Sequence, residues 1–215
     1  MTGEIGFNLY LITDRKGCAG RPLLTVVEEA LKGGVKAVQL REKDLPGRDL
    51  YEAAQEMRGL TLRYGAKLFI NDRVDIALAI EADGVHLGER SIPVTQARRL
   101  LGAARLIGVS CHCREGAFAA REMGADFITY GPVFFTPSKA AYGEPLGIAE
   151  LREVTSILQI PVFAIGGIKS QSAQEIVSAG AHGIALISAI LAADDPRKET
   201  ETLLSLLNSV AQQEQ

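Results

Sequence analysis

The chain has 215 residues, 47% of them hydrophobic, and a formal net charge of −3 at neutral pH. That describes one globular domain over residues 1–215 with ample core, and the lack of a basic excess argues against a nucleic-acid surface. No apolar stretch approaches the ~18 residues of a membrane span, the start MTGEIGFNLYLITD lacks a secretion pattern, and Cys18, Cys111 and Cys113 read as free thiols of a cytoplasmic protein.

Short apolar runs alternate with amphipathic ones. Strands are predicted over 7–13, 36–42, 66–71, 83–88, 105–111, 125–131, 161–166 and 182–188. Helices are predicted over 22–32, 48–64, 73–81, 93–101, 114–123, 147–157, 171–179 and from about 197 onward. Pro22 and Pro93 suit first helical positions, Ser172-x-x-Glu175 fits a capping box, and Gly180 suits a C-terminal stop. KGGVKAVQL (32–40), EADGVHL (81–87), MGADFITY (123–130) and AGAHGIAL (179–186) repeat one transition, from a helix closed by small residues into a strand. Strict alternation implies parallel strands joined by crossovers, an α/β fold. A closed (β/α)8 TIM barrel is the reading, with a doubly wound open sheet as the alternative. In such barrels chemistry sits where the strands end.

The second strand ends in QLREK, where Gln39, Arg41 and Lys43 share a face. Two cations and an amide aimed together suit a polyphosphate, although charges near a loop are as often simply solvated. The third ends in FINDR, and Asp72 after Asn71 suits either Mg²⁺ beside phosphate oxygens or a helix cap. The fourth breaks at Gly88 into Glu89, Arg90 and Ser91. In the fifth, GVSCHC, Ser110 and His112 share a face that turns away from both thiols, which argues against zinc and makes His112 a candidate proton carrier. His86 reads as a satisfied core residue and His182 as the opening of the last strand.

The sixth strand opens into GPVFFTPSK, where Thr136, Ser138 and Lys139 lie on a loop stiffened by Pro132 and Pro137. This suits an anion grip, or a flap between Gly143 and Gly147. After the last two strands, Gly166, Gly167 and Ser188 suit a phosphate held by backbone N–H groups. The rim thus gathers a cationic grip, Arg41, Lys43 and Lys139, and a backbone grip opposite. The first loop, around Gly17, Cys18 and Gly20, reads as flexible.

In this order VQLREK, FINDRVDIALAIEADGVHLG, IGVS-x-H, GPVF-x-T-x-S-K and PVFAIGGI resemble the thiamine-phosphate synthase and thiazole tautomerase family, from about residue 9 to residue 192. The resemblance implies a (β/α)8 barrel. For a synthase it implies that a hydroxymethylpyrimidine diphosphate loses pyrophosphate, assisted by Mg²⁺, and that a thiazole phosphate nitrogen attacks the resulting carbon. Gln39, Arg41, Lys43 and Asn71 would hold the pyrimidine diphosphate, and Ser110 and Lys139 would touch the leaving group. Thr136, Ser138, Gly167 and Ser188 would hold the thiazole phosphate. Synthases usually show H-x-G-Q-x-D, whose Asp is a second metal carboxylate. Here Ser91 stands in that place, which leaves Asp72 and Glu89 as the carboxylates available to Mg²⁺. The runner-up is a metal-independent tautomerase with His112 as proton carrier, and after it a non-catalytic protein that binds a thiamine precursor. A homo-oligomer is compatible with the sequence, and the tail ETLLSLLNSVAQQEQ is expected to pack on its own barrel.

Overall fold

Eight parallel strands close on themselves in chain order in the computed structural model, which describes residues 5–136 and 144–211. The strands are β1 (Leu9–Ile12), β2 (Ala37–Leu40), β3 (Lys67–Asn71), β4 (Gly84–Leu87), β5 (Leu106–Cys111), β6 (Phe127–Tyr130), β7 (Val162–Ile165) and β8 (Gly183–Leu186). Closure comes from β8 pairing with β1, Leu9 opposite Ile184 and Leu11 opposite Leu186. Around this ring lie α1 (Leu23–Lys32), α2 (Gly47–Arg63), α3 (Val74–Ala79), α4 (Val94–Leu101), α5 (Arg114–Glu122), α6 (Gly147–Ile157), α7 (Ala173–Ser178), α8 (Ser188–Leu191) and α9 (Pro196–Ala211). The barrel expectation holds, and the open-sheet alternative does not.

Several local expectations change. The strands run only four to six residues, because the polar residues after each leave the ladder to form the rim. Pro22 and Pro93 stand one place earlier than expected, as N-caps of α1 and α4. Ser172 does not cap α7 with its side chain; its hydroxyl turns back to the Lys169 carbonyl at 2.9 Å. The one-turn α8 is an element the periodicity did not predict, since four residues are too few to show a helical stripe. Gly180, at φ 85°, follows α7 as the expected stop. The tail packs at home: Thr200, Leu203 and Leu207 of α9 are buried against the barrel's own helices.

Alternation sorts each strand into two cores. Outward residues such as Leu9, Leu11, Val38, Leu40, Leu68, Ile70, Val85 and Leu87 meet the helices. Inward residues form a separate cluster of Tyr10, Ile12, Ala37, Phe69, Leu106, Phe127, Phe163 and Ala185, closed from below by Ile5 and Phe7. Phe7 stacks on Phe163 at 5.2 Å between centroids, while Tyr10 meets Phe69 and Phe127 edge-on at 5.4 and 5.5 Å. Five rings inside one small barrel need missing side chains on neighbouring strands. Gly84, paired with Phe69, and Gly108, paired with Phe127, supply the space. A Cβ on Gly108 would lie 2.4 Å from Phe127 Cζ and 2.6 Å from His86 Nδ1, and one on Gly84 would lie 2.1 Å from the Leu106 carbonyl oxygen. Each ring buried there contributes about 1.5–3 kcal/mol.

The clash at Gly84 is with backbone, which cannot turn aside. Gly84→Ala should therefore destabilise the protein by about 1–3 kcal/mol or more, read as a lower urea midpoint. Gly59→Ala, at a helical position of α2 with nothing within 4 Å of the new Cβ, should raise stability by about 0.5–1 kcal/mol. Equal effects at the two sites would refute the packing account.

Candidate active site

Above the aromatic layer the barrel interior turns polar. Gln39 and Tyr10 come from β2 and β1, His86 from β4, Ser110 from β5 and Thr129 from β6. Gln39 Nε2 donates to the Tyr10 hydroxyl at 3.2 Å, that hydroxyl lies 3.4 Å from His86 Nδ1, and His86 Nε2 lies 3.0 Å from Ser110 Oγ. Thr129 Oγ1 donates to Ser110 Oγ at 3.4 Å. Tyr10, Gln39, His86 and Thr129 are at most 2% exposed, and Ser110 is half-buried. Burial pushes the His86 imidazole down to about 3, opposed by the Asp72 carboxylate and reinforced by Arg41. Burial also raises the Tyr10 phenol well above its ordinary value, against the Gln39 hydrogen bond. The layer is therefore neutral. His86 is satisfied, as expected, but by Tyr10 and Ser110 rather than by passive packing.

The β1 and β2 ends are tied together. Glu42 is 5% exposed. Its carboxylate accepts from Thr13 Oγ1 at 2.6 Å, from the Arg15 backbone N–H at 3.2 Å and from Arg15 Nη1 at 3.1 Å. Thr13 Oγ1 in turn accepts from the Arg41 backbone N–H at 2.9 Å. Arg15 also grips Asp44 at 2.5 and 3.0 Å, and Lys16 adds a bridge at 2.7 Å. Together the two cations hold the Asp44 carboxyl well below the usual carboxylate range. The first loop is thus fixed rather than flexible, with a short 3₁₀ turn at Arg15–Gly17 capped by Asp14, and Cys18 is buried beneath it. Glu42 is engaged in this clamp, while Arg41, just past the end of β2, is half-buried and Lys43, in the following turn, is exposed.

The β3 and β4 ends meet at Asp72. Its backbone is left-handed at φ 61°, a conformation Asp tolerates better than most residues. Its N–H donates to the His86 carbonyl at 3.0 Å. Oδ2 accepts from Asn71 Nδ2 at 2.7 Å, while Oδ1 accepts from the Ser91 hydroxyl and lies 3.4 Å from the Gly88 N–H. Ser91 Oγ also accepts from the Gly88 N–H at 2.6 Å. Asp72 is not a cap, since Arg73 precedes α3 and no side chain caps it. Glu89 is exposed on the same turn. Among the described residues, no three His, Cys, Asp or Glu side chains gather as a protein-only cation cage would need. One carboxylate with a hydroxyl beside it fits a hard divalent cation that draws its remaining oxygens from a bound diphosphate and water.

On the far rim, Gly166 and Gly167 have φ 98° and 65°. A Cβ on Gly166 would meet Pro132 at 2.5 Å, and one on Gly167 would meet the Phe135 carbonyl at 2.5 Å. The glycines thus let the loop after β6 lie across them, tied by Val133 N–H to Ile165 O at 2.9 Å and Phe134 N–H to Gly166 O at 3.1 Å. Thr136 continues this half-buried loop, and Ser188 opens α8, exposed. Ser138, Lys139 and Gly143, one end of the suggested flap, lie outside the described residues. His112 Nδ1 donates to the Gly131 carbonyl across the β5–β6 boundary, away from Ser110. Tyr10, Thr13, Arg15, Glu42 and Thr129 were not singled out from sequence; Tyr10 and Thr129 share the inward parity of Ile12 and Phe127, the one signal that marked them.

A model of the thiamine monophosphate synthase family matches residues 9–190. A relative from Geobacter sulfurreducens is 63% identical over 204 residues, covering 95% of this chain and 96% of its own. The thiamine-phosphate synthase of Clostridium novyi is 46% identical, with coverage of 94% and 100%. A solved thiamine phosphate pyrophosphorylase from Pyrococcus furiosus superposes with a TM-score of 0.87 at 41% identity, over 95% of this chain and 96% of that one.

Because His86 is held near 3 in the fold against an ordinary 6.5, the unfolded chain binds the additional proton between those values. Stability contributed by this group is present at neutral pH and falls as the pH drops below 6.5. Urea unfolding across that range should show the decline, and His86→Gln should flatten it. An unchanged slope in the variant would show that other groups carry the acid sensitivity.

Proposed function

The chain belongs to the thiamine monophosphate synthase family, and we propose how its rim carries out the thiamine-phosphate synthase reaction, a transferase step of thiamine biosynthesis. A hydroxymethylpyrimidine diphosphate sits with its ring over Gln39 and Asn71 and its diphosphate toward Arg41, Lys43, Ser110 and Lys139. The bond from the methylene carbon to the diphosphate oxygen breaks, and the electron pair leaves with the diphosphate. The ring nitrogen of a thiazole phosphate then gives its lone pair to the same carbon. Thr136, Ser138, Gly166, Gly167 and Ser188 hold the thiazole phosphate.

Charge development decides what matters in this scheme. The diphosphate gains negative charge as the bond stretches, so fixed donors and cations around it stabilise the transition state more than the ground state. The clamp of Thr13, Arg15 and Glu42 supports this role by fixing the backbone from which Arg41 projects. Mg²⁺ at Asp72, with Glu89 on the same turn, would supply further positive charge on the diphosphate oxygens. A cytoplasmic setting goes with the reading: the three cysteines are free, and no helix among the described residues is long and apolar enough to cross a membrane.

One observation carries the reading: similarity to synthases spans 94% of the chain while Arg41 and Asp72 follow β2 and β3 and Ser110 lies near the end of β5 in one closed barrel. His112 is the feature a tautomerase would use. Its Nδ1 is engaged by Gly131, which leaves Nε2 as its free proton site, but a tautomerase has no use for the Asp72 corner.

Incubation with both substrates should give thiamine phosphate only with Mg²⁺, and EDTA should stop it. Asp72→Ala should lower turnover by roughly 100-fold or more. Ser91→Asp should lower the Mg²⁺ needed for half-maximal rate by roughly tenfold. In the absence of Mg²⁺ the same variant should melt at a lower temperature, because two carboxylates then face each other where a hydroxyl now donates. EDTA-insensitive turnover lost in His112→Ala would instead establish the tautomerase.

A further inference from the structure

The polar layer inside the barrel sets the direction of its own hydrogen bonds. The Tyr10 oxygen accepts from Gln39 Nε2 at 3.2 Å. Its O–H is buried, and a buried donor without an acceptor is costly. The acceptor beside it is His86 Nδ1 at 3.4 Å. Nδ1 must then be the unprotonated nitrogen, so in a neutral ring the proton resides on Nε2. Nε2–H points at Ser110 Oγ at 3.0 Å, the nearer of its two oxygens; Thr129 Oγ1 lies 3.4 Å from Nε2 and donates its own O–H to Ser110 Oγ at 3.4 Å. Both lone pairs of Ser110 are thereby occupied from below. What is left on that oxygen is its own hydrogen, and this half-buried residue stands next to last in β5, at the rim end of the strand.

We propose that Tyr10 and His86 are positioning residues that make Ser110 a one-way donor, its hydroxyl proton directed into the mouth at the oxygen of the departing diphosphate. This inference rests on the synthase reading for the identity of the acceptor, but not for the direction of the relay. The charged groups acting on His86 are Asp72, which favours the cation, and Arg41, which disfavours it. Burial outweighs both and keeps the ring neutral. A serine free to rotate would divide its time between donating and accepting. One locked as a donor pays no reorganisation when charge develops. The relay also links the two ends of the pyrimidine substrate: the Gln39 amide under its ring fixes Tyr10, and Tyr10 fixes the donor at the leaving group.

The test uses the full chain labelled with [15N]histidine at neutral pH. The chain has three histidines, and His112→Gln and His182→Gln spectra assign His86 by elimination. The expected signature is a neutral ring with the proton on Nε2. A proton on Nδ1, an even mixture of tautomers, or a cation would overturn the proposal, and this measurement on the unmutated chain needs no variant to fold. Tyr10→Phe keeps the ring and removes the O–H. It should release the tautomer into a mixture and cut turnover roughly tenfold, the scale of one net hydrogen bond, with KM for each substrate within about twofold. Loss of packing alone would move the melting temperature and leave the tautomer in place. An unchanged turnover in Tyr10→Phe would overturn the catalytic half of the proposal even with the expected tautomer. If the unmutated chain makes no thiamine phosphate, the synthase reading fails on its own, while the tautomer still decides the relay.

Discussion

The barrel interior can hold five large rings only because adjacent strands give up their side chains, and that steric bargain orders everything above it. Phe7, Tyr10, Phe69, Phe127 and Phe163 fill the lower barrel, with Gly84 and Gly108 opposite Phe69 and Phe127. With the floor solid, polar side chains have one place to be: the layer where Tyr10 ends in its hydroxyl and His86, Ser110 and Thr129 begin. Tyr10 belongs to both layers, its ring packed on Phe69 and Phe127 and its oxygen in the polar chain. The precision of the site is inherited from apolar packing, since a ring held on its edges cannot swing its hydroxyl away.

The rim uses the opposite strategy, fixing charged loops with charges. A carboxylate buried as deeply as Glu42 is costly unless fully satisfied, and here a hydroxyl, a backbone N–H and a guanidinium satisfy it. That acid is buried and spends its charge on Arg15. The consequence is a division of labour: Glu42 and Arg15 tie the β1 and β2 ends together, and in the proposed reaction Arg41 and Lys43 would be the cations that serve the diphosphate.

Much of this was legible in the sequence because the relevant signals have short periods. Alternation at two residues placed Gln39, Ser110 and the outward leucines correctly, and the repeated small-residue turns marked the crossovers. Legibility failed where the cause is three-dimensional. Gly166 and Gly167 stood out in sequence as a glycine pair, but the contact that requires it did not: Pro132, Phe134 and Phe135 lie where a Cβ would go, a contact between segments some thirty residues apart. The first loop read as flexible on composition, because Gly17 and Gly20 are visible in one dimension and the partnership of Arg15 with Glu42 and Asp44 is not. Asp72 left two readings open for the same reason. Only coordinates reveal that its carboxylate turns to Ser91 rather than back to α3.

That corner also bears on what replacing a carboxylate by Ser91 does physically. Two facing carboxylates repel unless a cation lies between them. A hydroxyl that donates to Asp72 Oδ1 while accepting from the Gly88 N–H closes the corner without any cation. The free enzyme is therefore spared a repulsive pair, at the cost of donor oxygens for a hard cation. In the proposed reaction a bound cation would draw its remaining oxygens from the diphosphate and water, so affinities for the cation and for the diphosphate would be linked, each raising the other by the same factor. In a corner with two carboxylates the protein alone would hold more of that affinity, and the linkage would be weaker.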